Sequence, residues 1–250
     1  MSSKGKELVV KPVSEYAVVL SPNAMSTYLE ESLAPGEQIG LRDLPTITFP
    51  AGGGQVWELP NGEPAKTLDC IIIHRQLLRA YWEAEYSGGG TPPDCSSPDA
   101  ITGHGTYEGQ LCKPCPMAQF GSKVDPKTRM PLKAQACRLI TRLFLLFPDS
   151  MFPTILRVPP ASYDAFRSYA MTDLYAAGYP PYHQVVTRIA LKEAVSKGDA
   201  TKGIKGGIKY SEVVFTPAGI VPPDAMHIIS AYRERMLPFL TSEPVPDYVD

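Results

Sequence analysis

The commonest pattern along the chain is alternation with a period of two, interrupted by short glycine- and proline-rich connections. Residues 68–74 form a β-branched, nearly continuous apolar run, the pattern of a buried strand. Residues 75–86 fit two periods. Period two sets Leu78, Ala80, Trp82 and Ala84 on one face and Arg75, Arg79 and Tyr81 on the other, whereas the helical period gathers Leu77, Leu78, Tyr81 and Trp82. The strand reading is preferred. Residues 136–147 alternate again: Cys137, Leu139, Thr141, Leu143, Leu145 and Phe147 face one way, with Arg138, Ile140, Arg142 and Phe144 opposite. Residues 154–158 read as a short strand stopped by Pro159-Pro160. The period then becomes helical, because Ser162 is a suitable N-cap, Tyr163, Phe166, Ala170 and Leu174 recur at helical spacing, and Gly178 can take the left-handed end. Residues 183–193 and 209–215 read as two strands joined by a basic, glycine-rich loop, and 224–240 as a second amphipathic helix through Ile228, Ile229, Tyr232 and Met236.

Two stretches lack this order. Residues 1–66 are polar, proline-containing and glycine-punctuated, with one strand-like run at 15–20, and predict a leader that packs loosely or orders against a partner. Residues 87–135 have no periodicity, many glycines and prolines and three cysteines, so something other than an apolar core must order them. The chain thus divides into a partly ordered leader at 1–66, a domain at 67–240 with an insertion at about 87–137, and an acidic, proline-interrupted tail at 241–250. The element order predicts an α+β class, mainly β: an OB-like, partly open barrel with the insertion and two helices.

Composition sharpens this picture at a few points. Prolines number 26 among 250 residues, which suits many short elements joined by rigid loops. A net charge of -2 excludes a uniformly cationic polyanion binder but not a basic face. The charge is in fact segregated: residues 113–212 hold 15 basic and 7 acidic side chains, and the remainder 9 and 19. No run approaches the roughly 20 apolar residues of a membrane span, and the N-terminus lacks a signal-peptide core, so no membrane partner and a cytosolic location are expected.

In a reducing compartment five cysteines point to metal ligands or buried thiols. Cys95, Cys112, Cys115 and Cys137 are separated by 16, 2 and 21 residues. The two-residue spacer of Cys112-Lys113-Pro114-Cys115 lets both thiolates reach one tetrahedral ion, and four thiolates close its coordination. The expected cofactor is a structural Zn2+, which makes the insertion a zinc ribbon. His104 could replace one cysteine; a Cys112/Cys115 redox pair or plain buried thiols are the alternatives. Cys70, beside three isoleucines, reads as core.

Cations interleaved with aromatics on one sheet face suit single-stranded DNA, since bases stack on rings while phosphates meet the charges. The candidates are Arg79 and Tyr81 from the first long strand, Arg138, Arg142 and Phe144 from the second, and Arg188 and Lys192 from the third. Lys123, Lys127, Arg129 and Lys133 from the insertion, with Lys202, Lys205 and Lys209, would flank the groove. The solvated face of an ordinary sheet has the same pattern. The acidic tail could compete for the groove or recruit replication or recombination proteins, or simply aid solubility. There is no GxxxxGKS/T loop, HExxH or GxSxG, and no acid/base pair stands out, so no enzymatic activity is expected.

Arg79-Ala80-Tyr81-Trp82, the run 92–99 around Cys95, Cys112-x-x-Cys115-Pro116, Phe120-Gly121-Ser122 and Val158-Pro159-Pro160-Ala161-Ser162 together resemble a group of zinc-containing proteins of bacteriophages and mobile elements, proposed to bind DNA. Some are grouped with single-stranded DNA-binding proteins, others with recombination directionality factors. The likeness spans roughly 67–240. It implies a DNA replication or recombination role in the host cytoplasm, with the alternative of a factor that redirects an integrase through protein contacts.

Overall fold

The computed structural model describes residues 24–50, 52–84, 91–148, 150–196, 207 and 209–241. The run at 15–20, Lys202, Lys205 and the tail from 242 lie outside the described residues. In chain order the elements are α1 (Ala24–Ser32), β1 (Thr46–Ile47), β2 (Trp57–Glu58), β3 (Pro64–Ala65), β4 (Thr67–Tyr81), β5 (Cys95–Ser97), β6 (His104–Gly105), β7 (Arg138–Leu146), β8 (Thr154–Val158), α2 (Tyr163–Ser168), β9 (Val185–Val195), β10 (Lys209–Ile220) and α3 (Pro223–Thr241). α2 continues as π-helical turns over Tyr169–Tyr175.

The class is α+β and mainly strand. Eight strands form one mixed sheet in the order β1-β8-β7-β4-β5-β6, with β9 pairing β4 and β10 pairing β9; β2 and β3 make a separate pair. Among the described residues the sheet does not close into a barrel. β4 is its axis. One edge pairs with β7, while the other pairs with β9 over Thr67 to Ile71 and with β5 over Arg79 to Tyr81.

The sheet is covered on both faces. On one side Cys70, Ile72, Leu143, Leu145, Ile189 and Phe215 pack with Phe166, Tyr169 and Leu174 of the α2 region. On the other, Ile71, Ile73, Phe144, Leu146 and Ile155 pack with Ile229, Tyr232, Met236 and Leu240 of α3. The leader also contributes: Ile47 and Trp57 enter the first core, Leu41 and Leu44 the second. The described part of the leader thus completes both layers through these few large apolar residues, while most of its other residues stay exposed or half-buried.

Between Ile72 and His74 the β4–β7 register slips by one residue. This bulge changes which side each later residue faces. His74 stacks on Phe144 toward α3, and the Arg75 guanidinium lies 4.9 Å from the Phe166 ring centroid and 5.2 Å from that of Tyr163, toward α2. Ser162 does not cap α2 with its side chain; its hydroxyl accepts the Val213 amide at 3.0 Å and ties the helix start to β10. Gly178 takes the expected left-handed turn, with φ of 78°. Among the described residues no helix is long and apolar enough to cross a membrane.

Two-sided burial corrects part of the predicted DNA-binding face. Phe144 is fully buried under α3, so it cannot stack on bases. Arg142, 5% exposed, donates to the Gln76 side chain at 3.3 Å inside the structure. Both belong to a face whose alternation resembles a wet sheet surface, but α3 covers Phe144, and Arg142 is enclosed beside Gln76, whose amide donates to the Pro98 carbonyl at 3.0 Å.

Candidate functional site: a cysteine cavity and an adjoining basic cleft

Beyond the helices, the last residues of β4 and the first of β7 carry the insertion. Cross-strand pairing sets Tyr81 opposite Cys95 and Arg79 opposite Leu139, two residues from Cys137. The rest is looped but pinned by backbone bonds: Cys112 N–H to the Ile101 carbonyl at 2.7 Å, Cys115 N–H to Cys112 at 3.3 Å, and Cys137 N–H to Met117 at 2.8 Å. These bonds bring Cys95, Cys112, Cys115 and Cys137 to one enclosed cavity of about 10 Å3, walled also by Arg79, Tyr81, Gly103, Tyr107 and Met117. That is about the volume of one small sphere.

The surroundings of the sulfurs supply positive ends of dipoles. The backbone N–H groups of His104 and Tyr107 donate to the Cys95 sulfur, and the Arg79 guanidinium to that of Cys137. Arg79 also reaches the Cys137 carbonyl at 3.3 Å. Donors of this kind support thiolates that ligate a metal. Burial nevertheless pushes the Cys137 thiol up to about 11, with Arg79 acting against it, and raises Cys95 despite its two amides. Buried neighbouring thiols stay protonated unless a cation offsets their charge. Among the described residues no three Cys, His, Asp or Glu side chains stand in ligating geometry; the four sulfurs share a cavity without converging on a point.

His104 turns away. Its Nδ1 lies 3.1 Å from Glu108 at the surface, so its contribution to the cavity is its amide. Cys70 lies in the first core, as expected, with its sulfur 3.9 Å from the Thr187 carbonyl. Gly103 is a feature that spacing rules miss: a Cβ there would stand 3.3 Å from the Cys95 sulfur and 2.8 Å from the Tyr107 carbonyl. Only glycine lets the chain pass so close.

Beside the cavity opens a cleft of about 490 Å3, lined among others by Tyr81, Trp82, Met117 and Val124, with three cations, Lys123, Arg129 and Arg138, against one acid, Glu83. Tyr81 and Met117 wall both spaces. The Arg138 guanidinium lies 5.7 Å from the Trp82 ring centroid, and the indole N–H of Trp82 donates to the Thr91 carbonyl at 3.0 Å, which fixes the ring. The Tyr81 and Tyr107 rings tilt together at 6.0 Å.

The sequence-predicted DNA contacts therefore separate. Tyr81, Lys123, Arg129 and Arg138 meet in the cleft; Arg79 lies behind it on the cysteine cavity; Lys133 is exposed on the insertion outside the cleft wall. Arg142 and Phe144 are internal. Arg188 and Lys192 are exposed on β9, but each faces an acid: Arg188 makes two bonds of 2.7 and 2.8 Å to Asp69, and Lys192 lies 3.3 Å from Glu212. Lys209 similarly meets Glu193 at 3.1 Å. Trp82, assigned from sequence to the apolar face of Leu78 and Ala80, packs against both and also lines the cleft. Its relation to Arg138 depends on cross-strand register, which neither segment carries alone.

Compared with protein-family models, curated proteins and solved structures, the chain matches none.

Proposed function

We propose that this chain is a non-enzymatic single-stranded DNA-binding protein of a phage or mobile element, acting in replication or recombination through the cleft beside its cysteine cavity. The observation that carries the reading is the meeting of Tyr81 and Trp82 with Lys123, Arg129 and Arg138 in one cleft. Its volume lies in the roughly 300–1,000 Å3 range of ligand sites. The aromatic pair offers π faces to bases and the cations face phosphates, the combination that sequence-tolerant single-strand binding uses. A structural Zn2+ held by Cys95, Cys112, Cys115 and Cys137 would neutralise clustered thiolates and hold the insertion, and through Tyr81 and Met117 it would brace one cleft wall. β4 pairs with β9 at one end and with β5 at the other, as a strand of an OB-like, partly open barrel would.

Fluorescence anisotropy with a labelled single strand, competed by unlabelled single- and double-stranded DNA, tests this. Displacement by single strand in preference to duplex is expected; absence of binding, or equal displacement, overturns it.

A second reading rests on a separate observation. Phe120 is 80% exposed on the insertion, and Ile101 and Leu111 are 60% and 58% exposed, large apolar side chains available to a protein partner. They support a recombination directionality factor that docks on an integrase. Pull-down of recombinase without DNA, lost on Phe120→Ser, would favour it.

A further inference from the structure

The insertion carries a projecting arm. Residues 123–132 fold back on themselves: Val124 bridges Pro131, Leu132 N–H donates to the Lys123 carbonyl at 2.7 Å, and Asp125 N–H to that of Met130 at 2.9 Å. The turn is held by Asp125, whose carboxylate accepts the amides of Lys127 and Thr128, each at 2.8 Å. Arg129 takes the left-handed φ of 57° that closes it. Every bend of the arm has a specific support, so it is stiff.

Its side chains are of two kinds. Met130 and Leu132 are 65% and 37% exposed and flank Pro131, the residue that bridges Val124. Around them Lys123, Lys127 and Arg129 are exposed, while the sole acid of the segment, Asp125, spends its carboxylate on turn amides. Exposed apolar side chains ringed by cations fit a ligand that alternates flat apolar faces with negative charge. Stacked bases between phosphates are such a ligand. The location agrees, since Lys123, Val124 and Arg129 of the arm also line the cleft.

We propose that the arm is a wedge for DNA: Met130 and Leu132 insert at the step where a duplex opens, and the freed strand runs into the cleft. Wedges of apolar side chains unstack base steps in this way. The inference rests on the single-strand reading of the cleft. An anionic membrane is the less suitable occupant, because surface binding of that kind uses the long apolar face of an amphipathic helix rather than two side chains on a turn.

The test uses full-length protein, an oligo(dT) strand, and a forked duplex with 2-aminopurine at its first paired position. Wild-type protein is expected to raise the 2-aminopurine fluorescence as the base unstacks. The double variant Met130→Ser, Leu132→Ser is expected to bind oligo(dT) within about twofold of wild type. It should lose the fluorescence rise and roughly tenfold in affinity for the fork. Tight oligo(dT) binding by wild type with a flat fork signal, or a rise that survives in the variant, overturns the wedge and leaves the cleft reading standing. Failure of wild type to bind oligo(dT) overturns the cleft reading itself. If the variant keeps the fork signal but loses binding to phosphatidylserine vesicles, the arm belongs to a membrane and the wedge is wrong.

Discussion

Salt dependence tests the cleft quantitatively. Lys123, Arg129 and Arg138 line it, and each phosphate neutralised on a single strand contributes about -0.7 to the slope of log affinity against log salt. Three contacts predict a slope near -2, so affinity should fall roughly twentyfold between about 50 and 200 mM salt. Arg129→Gln should bring the slope to about -1.4. Arg138→Gln should do the same and also weaken binding at every salt concentration, because it removes the cation beside Trp82. The controls come from the same sheet. Arg188 and Lys192 face Asp69 and Glu212, so Arg188→Gln and Lys192→Gln should leave the slope unchanged. The assay is anisotropy of a labelled oligo(dT) titrated at four salt concentrations. A slope indistinguishable from zero, or one that Arg188→Gln lowers and Arg129→Gln does not, would refute the assignment of the cleft as the phosphate-binding surface.

Three other outcomes follow from the geometry. Phe144→Ala should cost about 3–5 kcal/mol by opening the α3 core, lowering the melting temperature by roughly 10 °C in calorimetry, while the salt slope stays that of wild type. Cys112→Ser should abolish zinc in a colorimetric metal assay of purified protein and expose residues 91–137 to limited proteolysis; full metal content with unchanged proteolysis would contradict the four-cysteine site. Burial, and secondarily Arg233, holds His74 down at about 4 against an ordinary 6.5, so the unfolded chain binds more protons between those values. The stability that neutral His74 contributes is complete above about 6.5 and lost as pH falls toward 4. His74→Gln should flatten that part of the urea-denaturation profile, leaving the smaller dependence due to His183, also held low by burial and Arg233.

Much of the sheet is legible in the chain because period two persists wherever a strand is flanked by turns. The 136–147 alternation matches β7, 154–158 is β8, and the preferred reading of 75–86 as strand holds as far as Tyr81. Even the grouping of Arg75, Arg79 and Tyr81 agrees with the structure, since all three follow the bulge. What the chain conceals is coverage. Nothing local to Phe144 shows that α3, which begins at Pro223, lies over it, nor to Arg142 that Gln76 of the neighbouring strand encloses it. The leader is concealed for the same reason, because Trp57 and Ile47 are isolated apolar residues in polar surroundings whose value appears only when the first core is assembled. For the candidate site, the Cys-x-x-Cys spacer marks the cavity, whereas the Trp82–Arg138 pair and the arm at 123–132 depend on register and turn geometry.

The slipped residue in the middle of β4 has one more implication. Deleting Ile73 would restore a regular ladder to β7 with every later pair kept, whereas deleting a residue beyond it, such as Leu77, would reverse the parity of everything downstream. Arg79 and Tyr81 would then point away from the sulfurs, and Ala80 toward them. A chain so shortened could still assemble the half of the sheet that lies between α2 and α3 yet present the wrong side chains to the insertion. Tolerance of the scaffold and tolerance of the site should therefore diverge beyond Ile73, and a library of single-codon deletions along β4 would map where one property parts from the other.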